Sequence, residues 1–244
     1  MDSIQPASNQ IPGTAKELGW ASVLTMVVLW TIDYPFSPPG LFLVLAGLLF
    51  IIQGGLILAY WPANRSFGWA NRTTLVRSAL VVPLVAWAPF LSSSDSAGLW
   101  FYAVACLFAL ILDGADGKVA RATNSHSEFG ARFDMELDAL FILGLCVAVL
   151  ALGKAGIWVL ALGLMRYLFV AASYYLDWLN QPLPESFRRK TVCVWQVVTL
   201  MVAVVPPIPI TFASITLTMA LMLLAWSFYL DVRWLYLRRT QHEH

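Results

Sequence analysis

The sequence predicts an all-α polytopic membrane protein of about eight spans with both termini on the cytosolic side, and three observations lead there. Hydrophobic residues make up 59% of the 244 residues, charged residues only 12%, and the mean hydropathy is +0.72. A soluble domain carries roughly 25% charged residues, so a chain this poor in hydrated side chains cannot face water on all sides and takes lipid as its solvent. The apolar residues also fall into windows of span length bounded by Pro, Gly and charges, and the Lys and Arg residues gather on alternate loops.

The windows lie near 17–34, 40–61, 74–92, 97–120, 129–152, 155–176, 190–207 and 211–233. The first is the shortest signal, with a clean apolar core only from Val23 to Ile32. Ahead of it, Met1 to Lys16 is polar, lacks the basic start and cleavage site of a signal peptide, and reads as a lead-in. Between the second and third windows, Trp61 to Trp69 holds two Trp, one Phe and Arg65; it reads as an interfacial helix or as an aromatic-belt loop. With the N-terminus inside, Lys16, Arg65, Arg72, Arg77, Lys118, Arg121, Arg132, Arg188, Arg189, Lys190, Arg233, Arg238 and Arg239 all lie on or near the inner face. Only Lys154 then lies outside and only Arg166 within a span, and an odd number of spans would spoil this asymmetry.

The net charge of +1 and the dispersed basic residues give no support for nucleic-acid binding. Cys106, Cys146 and Cys193 fall inside apolar runs without CxxC spacing or a nearby His, which reads as small core residues. No internal repeat divides the chain.

Chemistry concentrates where the fourth window ends and the fifth begins. Asp113, Asp116, Gly117, Ala120 and Arg121 recur at helical spacing and share one face; Gly130, Asp134 and Asp138 share another. An eight-residue turn, Ala122 to Phe129, folds the two helices back and lets the faces meet. Four carboxylates that close repel one another, and ionised groups at membrane depth are expensive, so the centre needs positive charge. Arg121 and Lys118 could supply part of it. A donor set of oxygens alone, with no His or Cys, suits Mg²⁺ or Mn²⁺ better than zinc or copper, and Mg²⁺ on carboxylates commonly completes its shell with water and phosphate. Gly117 and Gly130 leave room on the facing stripes.

These residues spell D-x2-D-G-x2-A-R-x8-G-x3-D-x3-D without a departure. The pattern resembles the signature of the CDP-alcohol phosphatidyltransferase family. Eight specified positions, each filled by chance about 5–8% of the time, coincide at a given start with a probability on the order of 10⁻¹⁰. A second stretch, Asn71-Arg72-Thr73-Thr74-Leu75-Val76-Arg77, resembles the N-x2-T-x2-R that often opens the first core helix of that family, although Arg77 reads equally well as a positive-inside anchor. The resemblance implies a six-helix core over residues 71–239, preceded by a tail and two accessory transmembrane helices within residues 1–70 and followed by a polar tail at 240–244.

The resemblance further implies transfer of a phosphatidyl or similar phosphoalcohol group from a CDP-linked lipid donor, CDP-diacylglycerol, to the hydroxyl of a second alcohol, with release of CMP, in phospholipid biosynthesis. Asp113, Asp116, Asp134 and Asp138 would hold divalent metal, Mg²⁺ or Mn²⁺ and two ions; Asp138 would be a ligand, the general base, or both. Arg121 would hold a donor phosphate, with Gly117, Ala120 and Gly130 making room for the nucleotide. A homodimer in the cytoplasmic (inner) membrane, if the source is bacterial, with the site facing the cytosol, completes the expectation.

Outside the signature, Arg166 sits near the middle of the sixth window, where an arginine costs several kcal/mol unless it faces protein or water. It reads either as an anion-binding residue for the acceptor, with Arg77 a second candidate, or as a structural partner of an acidic residue on a neighbouring helix. Arg188-Arg189-Lys190 reads first as a topology signal, and His126 as a solvated loop residue. The competing classes are an intramembrane prenyltransferase, whose acidic motifs lie on distant helices, and a transporter, which would not require the eight signature positions. The acceptor alcohol is not encoded by these motifs, which describe the donor half.

Overall fold

The computed structural model describes residues 13–61, 68–123, 128–181, 183–184 and 186–242; the side chains of residues 13, 69–70, 115–123, 128, 177 and 239–242 lie outside that description. Every described regular element is helical: α1 (Gly13–Phe36), α2 (Leu41–Tyr60), α3 (Gly68–Trp87), α4 (Ser96–Thr123), α5 (Glu128–Ala151), α6 (Leu160–Ser173), α7 (Phe187–Val204) and α8 (Ile210–His242). These match the eight predicted windows in order. Five segments, in α1, α2, α3, α4 and α8, are long and apolar enough to cross a membrane. Two others carry concentrated charge, Asp134, Glu136 and Asp138 in α5 and Arg188, Arg189 and Lys190 in α7. The sixth is short, because the predicted 155–176 window divides into a 3₁₀ turn at Ile157–Val159, α6, and a further 3₁₀ turn at Asp177–Asn180.

Breaks between helices follow from local chemistry. Pro38 and Pro39 cannot continue α1, and Ser37 turns the chain at φ 43. After α5, Gly153 adopts φ 64 while Gly153 N–H bonds to the Leu150 carbonyl and Lys154 N–H to the Val149 carbonyl, the paired bonds that close a helix on a left-handed residue. Both helices extend into the predicted turn at 122–129: α4 continues through Thr123 and α5 starts at Glu128. Of the Trp61–Trp69 segment only Trp61, Gly68 and the backbone of Trp69 are described, and Trp61 is buried.

Contacts sort the helix ends into two groups. Phe36 at the end of α1 packs on Trp87 at the end of α3 and on Phe101 near the start of α4, with ring centroids 5.3 and 5.2 Å away. Lys154, after α5, donates to the carbonyls of Pro206 (3.4 Å) and Ile208, after α7. At the opposite ends, Glu17 of α1 meets Arg72 of α3, Trp61 after α2 meets Phe129 of α5, and Arg188 of α7 meets Asp231 of α8. Successive helices therefore alternate in direction, as membrane spans joined by short loops must.

α3 lies at the centre, with 72% of its span window buried against 17–28% for the four other apolar spans. Both acidic helices, α4 and α5, pack most extensively on α3 rather than on each other among the described residues. Outward faces of α1, α2, α4 and α8 expose Met26, Ile51, Phe108, Ile215 and Met222, which places the surplus apolar residues against lipid. Inside, two glycines permit close helix approach: a Cβ on Gly144 of α5 would stand 2.7 Å from Val85 Cγ2 of α3, and one on Gly163 of α6 would stand 2.8 Å from Leu143 Cα of α5. Of the three cysteines, Cys106 and Cys146 are buried as expected. Cys193 departs from the core reading and is exposed, because its turn of α7 borders a cavity.

Substituting Gly163 with Val pushes a side chain onto the α5 backbone and is expected to cost about 1–3 kcal/mol of stability. Gly47→Ala, where an added Cβ meets nothing within 4 Å, leaves stability close to wild type. Thermal melts of the two variants in detergent check the contrast.

Candidate active site

Helical spacing sets the local geometry. Asp134 and Asp138 stand one turn apart on α5, and Asp113 stands in the second half of α4. The structure brings one carboxylate oxygen of each of these three within 4.8 Å of the others. Asp116, Gly117, Ala120 and Arg121 belong to the same helical stretch, but their side chains lie outside the described residues, as do Lys118 and His126. Gly130 is part of α5, one turn before Asp134.

Among the described residues, the positive charge at the centre comes from α3. Arg77 is only 2% exposed, and its guanidinium donates to Asp113, to Asp134 at 2.7 Å and to Asp138 at 2.8 Å. Sequence reasoning assigned the counter-charge to Lys118 and Arg121 and left Arg77 between a membrane anchor and an acceptor contact. The buried ion pairs to three carboxylates were not anticipated. Their only sequence signal was the Asn71–Arg77 stretch one span before the acidic motif.

The aspartate side chains remain 38–45% exposed while the arginine beneath them is closed off. The cluster therefore has a buried cationic floor and an open carboxylate mouth. Among the described residues, Arg77 donates to one oxygen of each carboxylate, and a carboxylate has a second oxygen able to meet a cation. Three carboxylates face one guanidinium among the described residues, so the cluster keeps an excess of negative charge when all are ionised. Donor type, separation and charge all fit Mg²⁺ or Mn²⁺.

Next to the carboxylates a cavity of about 80 Å³ runs toward the middle of the helices, with Arg77, Asp113 and Asp138 at one end and Ala109, Phe141 and Val197 among its apolar walls. Cys193 and Val194 bring α7 into the same wall, which sequence reading did not foresee. The cavity thus joins an ionic end to an aliphatic end.

Arg166 stands on α6, where Nη2 donates to Glu136 Oε1 of α5 at 2.5 Å. That contact is the pairing with a neighbouring acidic residue weighed as one of its two readings. Its Nε is buried and meets no acceptor among the described residues. Arg188 joins α7 to α8, donating to Asp231 at 2.5 Å and to the carbonyl and hydroxyl oxygens of Ser227 at 2.6 and 3.0 Å; Arg189 reaches Asp231 at 3.4 Å. The basic run thus makes a tertiary contact beyond the topology signal read from sequence.

Comparisons with known proteins agree with the geometry. Cholinephosphotransferase 1 of Gallus gallus is 31% identical over 102 residues, covering 36% of this chain and 30% of that protein, so the chain spans under a third of that relative's length. No solved structure matches the chain. Residues 67–230 match the CDP-alcohol phosphatidyltransferase family, an extent that runs from just before α3 into α8 and establishes that the chain belongs to this family.

Proposed function

We propose that the protein transfers a phosphatidyl group from CDP-diacylglycerol to the hydroxyl of a second alcohol and releases CMP, at the acidic cluster of α4 and α5. The observation that carries this reading is the convergence of Asp113, Asp134 and Asp138 beside an apolar cavity, in a chain of this family. Asp113, Asp116, Asp134 and Asp138 are the metal-holding residues in this reading, and two ions are expected. Bound there, Mg²⁺ or Mn²⁺ supplies positive charge to the diphosphate and to the departing CMP phosphate.

The chain's own residues do the remaining work. Asp138, at the cavity end, accepts the proton of the attacking hydroxyl. Arg77 holds the carboxylates in register from below, and Arg121, with Gly117, Ala120 and Gly130, accommodates the nucleotide. Apolar walls from α3, α4, α5 and α7 exclude water from the lipid portion, which favours transfer over hydrolysis. Arg166 contributes to the acceptor side in this reading, with Glu136 holding one edge of its guanidinium. The site faces the cytosol in this reading, where a CDP-linked donor is met.

A second reading rests on the name of the Gallus gallus relative. There, CDP would carry the headgroup alcohol and a lipid alcohol would be the acceptor, with the same metal-holding residues and the same leaving group.

Purified protein with Mg²⁺ in detergent is expected to release CMP from CDP-diacylglycerol when an alcohol is supplied from a panel of serine, glycerol phosphate, inositol phosphate and choline. A parallel reaction with CDP-choline and diacylglycerol reads the alternative, and absence of CMP in both refutes phosphoalcohol transfer. Asp138→Asn is expected to lower kcat by about 10²–10⁴-fold.

Arg77→Gln leaves three mutually repelling carboxylates without their partner, so it is expected to lower the melting temperature of the metal-free protein. Added Mn²⁺ should recover part of that loss, as read by thermal melts with and without the ion. Arg166→Met should raise the KM for a phosphorylated acceptor while the donor KM stays unchanged; equal effects on both would remove Arg166 from the acceptor side.

A further inference from the structure

α1 and α2 precede the residues matched to the family, and among the described residues neither supplies a carboxylate to the cluster or a wall to the cavity. Both nevertheless reach toward Arg77 through side chains that are costly in a lipid-facing helix. Glu17 of α1, 8% exposed, accepts from Arg72 Nε at 2.9 Å and Nη2 at 2.5 Å, and from Trp20 Nε1 at 2.6 Å. Gln53 of α2 donates from Nε2 to Ser78 Oγ at 2.8 Å, and Ser78 is the residue after Arg77. Polar groups placed between membrane helices act as glue because lipid offers them no partner.

A third contact reaches α5. Trp61, following α2, stands edge-on to Phe129 with centroids 5.3 Å apart, and Phe129 stacks on Phe133 at 6.1 Å. Trp61, Ala21, Ile57 and Leu75 form a buried cluster separate from the main core, with Phe129 and Phe133 packed against it. Phe133 immediately precedes Asp134. The accessory helices thus hold two of the three helices whose side chains meet in the site, α3 at Arg77 and α5 at Asp134.

We propose that α1 and α2 are a positioning brace for the acidic site: Glu17 through Arg72 and Gln53 through Ser78 fix the turn of α3 that carries Arg77, and Trp61 through Phe129 and Phe133 seats the turn of α5 that carries Asp134. The activity arm of its test rests on the function proposed above. The geometry makes such a brace consequential, because three carboxylates from two helices must stay within 4.8 Å and are bridged by one side chain of a third. A misplacement of about 1 Å at a reacting centre can cost on the order of 10²-fold in rate.

The test measures Mn²⁺ affinity by electron paramagnetic resonance on purified full-length protein without substrate, alongside kcat and melting temperature. Glu17→Gln, Gln53→Met and Trp61→Ala are each expected to weaken Mn²⁺ binding and lower kcat by about fivefold at temperatures where the protein is folded. Gln53→Met keeps the volume and suits a membrane helix, so it removes the bond with the least threat to folding. Trp61→Phe should retain near wild-type values, and Glu17→Arg combined with Arg72→Glu should restore what Glu17→Arg alone loses. Folded variants with wild-type Mn²⁺ affinity and kcat overturn the brace, as does a lowered melting temperature with unchanged Mn²⁺ affinity. A wild-type protein that binds Mn²⁺ yet transfers no phosphoalcohol group overturns the functional reading alone, since the brace is still read in ion affinity.

Discussion

The pairing of a buried arginine with three aspartates organises this molecule. Ionised groups near a membrane interior are tolerated only when they neutralise one another or meet water, and here both occur at once. Arg77 is closed off beneath Asp113, Asp134 and Asp138, while the carboxylates open outward. The arrangement requires α4 and α5 to approach α3 from two sides at the same depth. This explains why α3 is the most buried of the apolar spans and why each acidic helix packs chiefly on it.

Around that centre, polarity is distributed by side rather than by sequence distance. Outer faces carry exposed apolar residues such as Met26, Phe108 and Met222, which belong against lipid chains. Interior faces carry the residues that need partners. Glu17, Gln53, Arg166 and Arg188 each bond to a neighbouring helix, so the few polar groups of an apolar chain also fix how its helices are rotated. Gly144 and Gly163 do the complementary task, letting α5 approach α3 and α6 closely enough for dispersion contacts to replace the hydrophobic effect.

The site joins two solvents. Its carboxylate end is accessible and its aliphatic end reaches between α3, α4, α5 and α7. A transfer that joins a lipid to a water-soluble partner needs such a junction, because neither dissolves in the other's medium. The same position explains why α5 falls short of a simple apolar span: Asp134, Glu136 and Asp138 occupy its first half, and Arg77 and Arg166 compensate them from α3 and α6.

By itself the sequence determined the helical membrane class, the order and approximate bounds of the helices α1 to α8 among the described residues, and the acidic motif with the family it belongs to. Those properties are local: span length follows from runs of apolar residues, and i, i+3 and i, i+4 spacing places side chains on one face whatever the tertiary context. Tertiary structure decided which charge answers which. The sequence left Arg77 between a positive-inside anchor and an acceptor contact, and nothing local reveals that it lies under three aspartates 36, 57 and 61 residues away. Nor could periodicity show that Arg72 reaches Glu17 across 55 residues, or that Cys193 borders the cavity. Such contacts depend on helix rotation and packing order, which arise only when the helices meet.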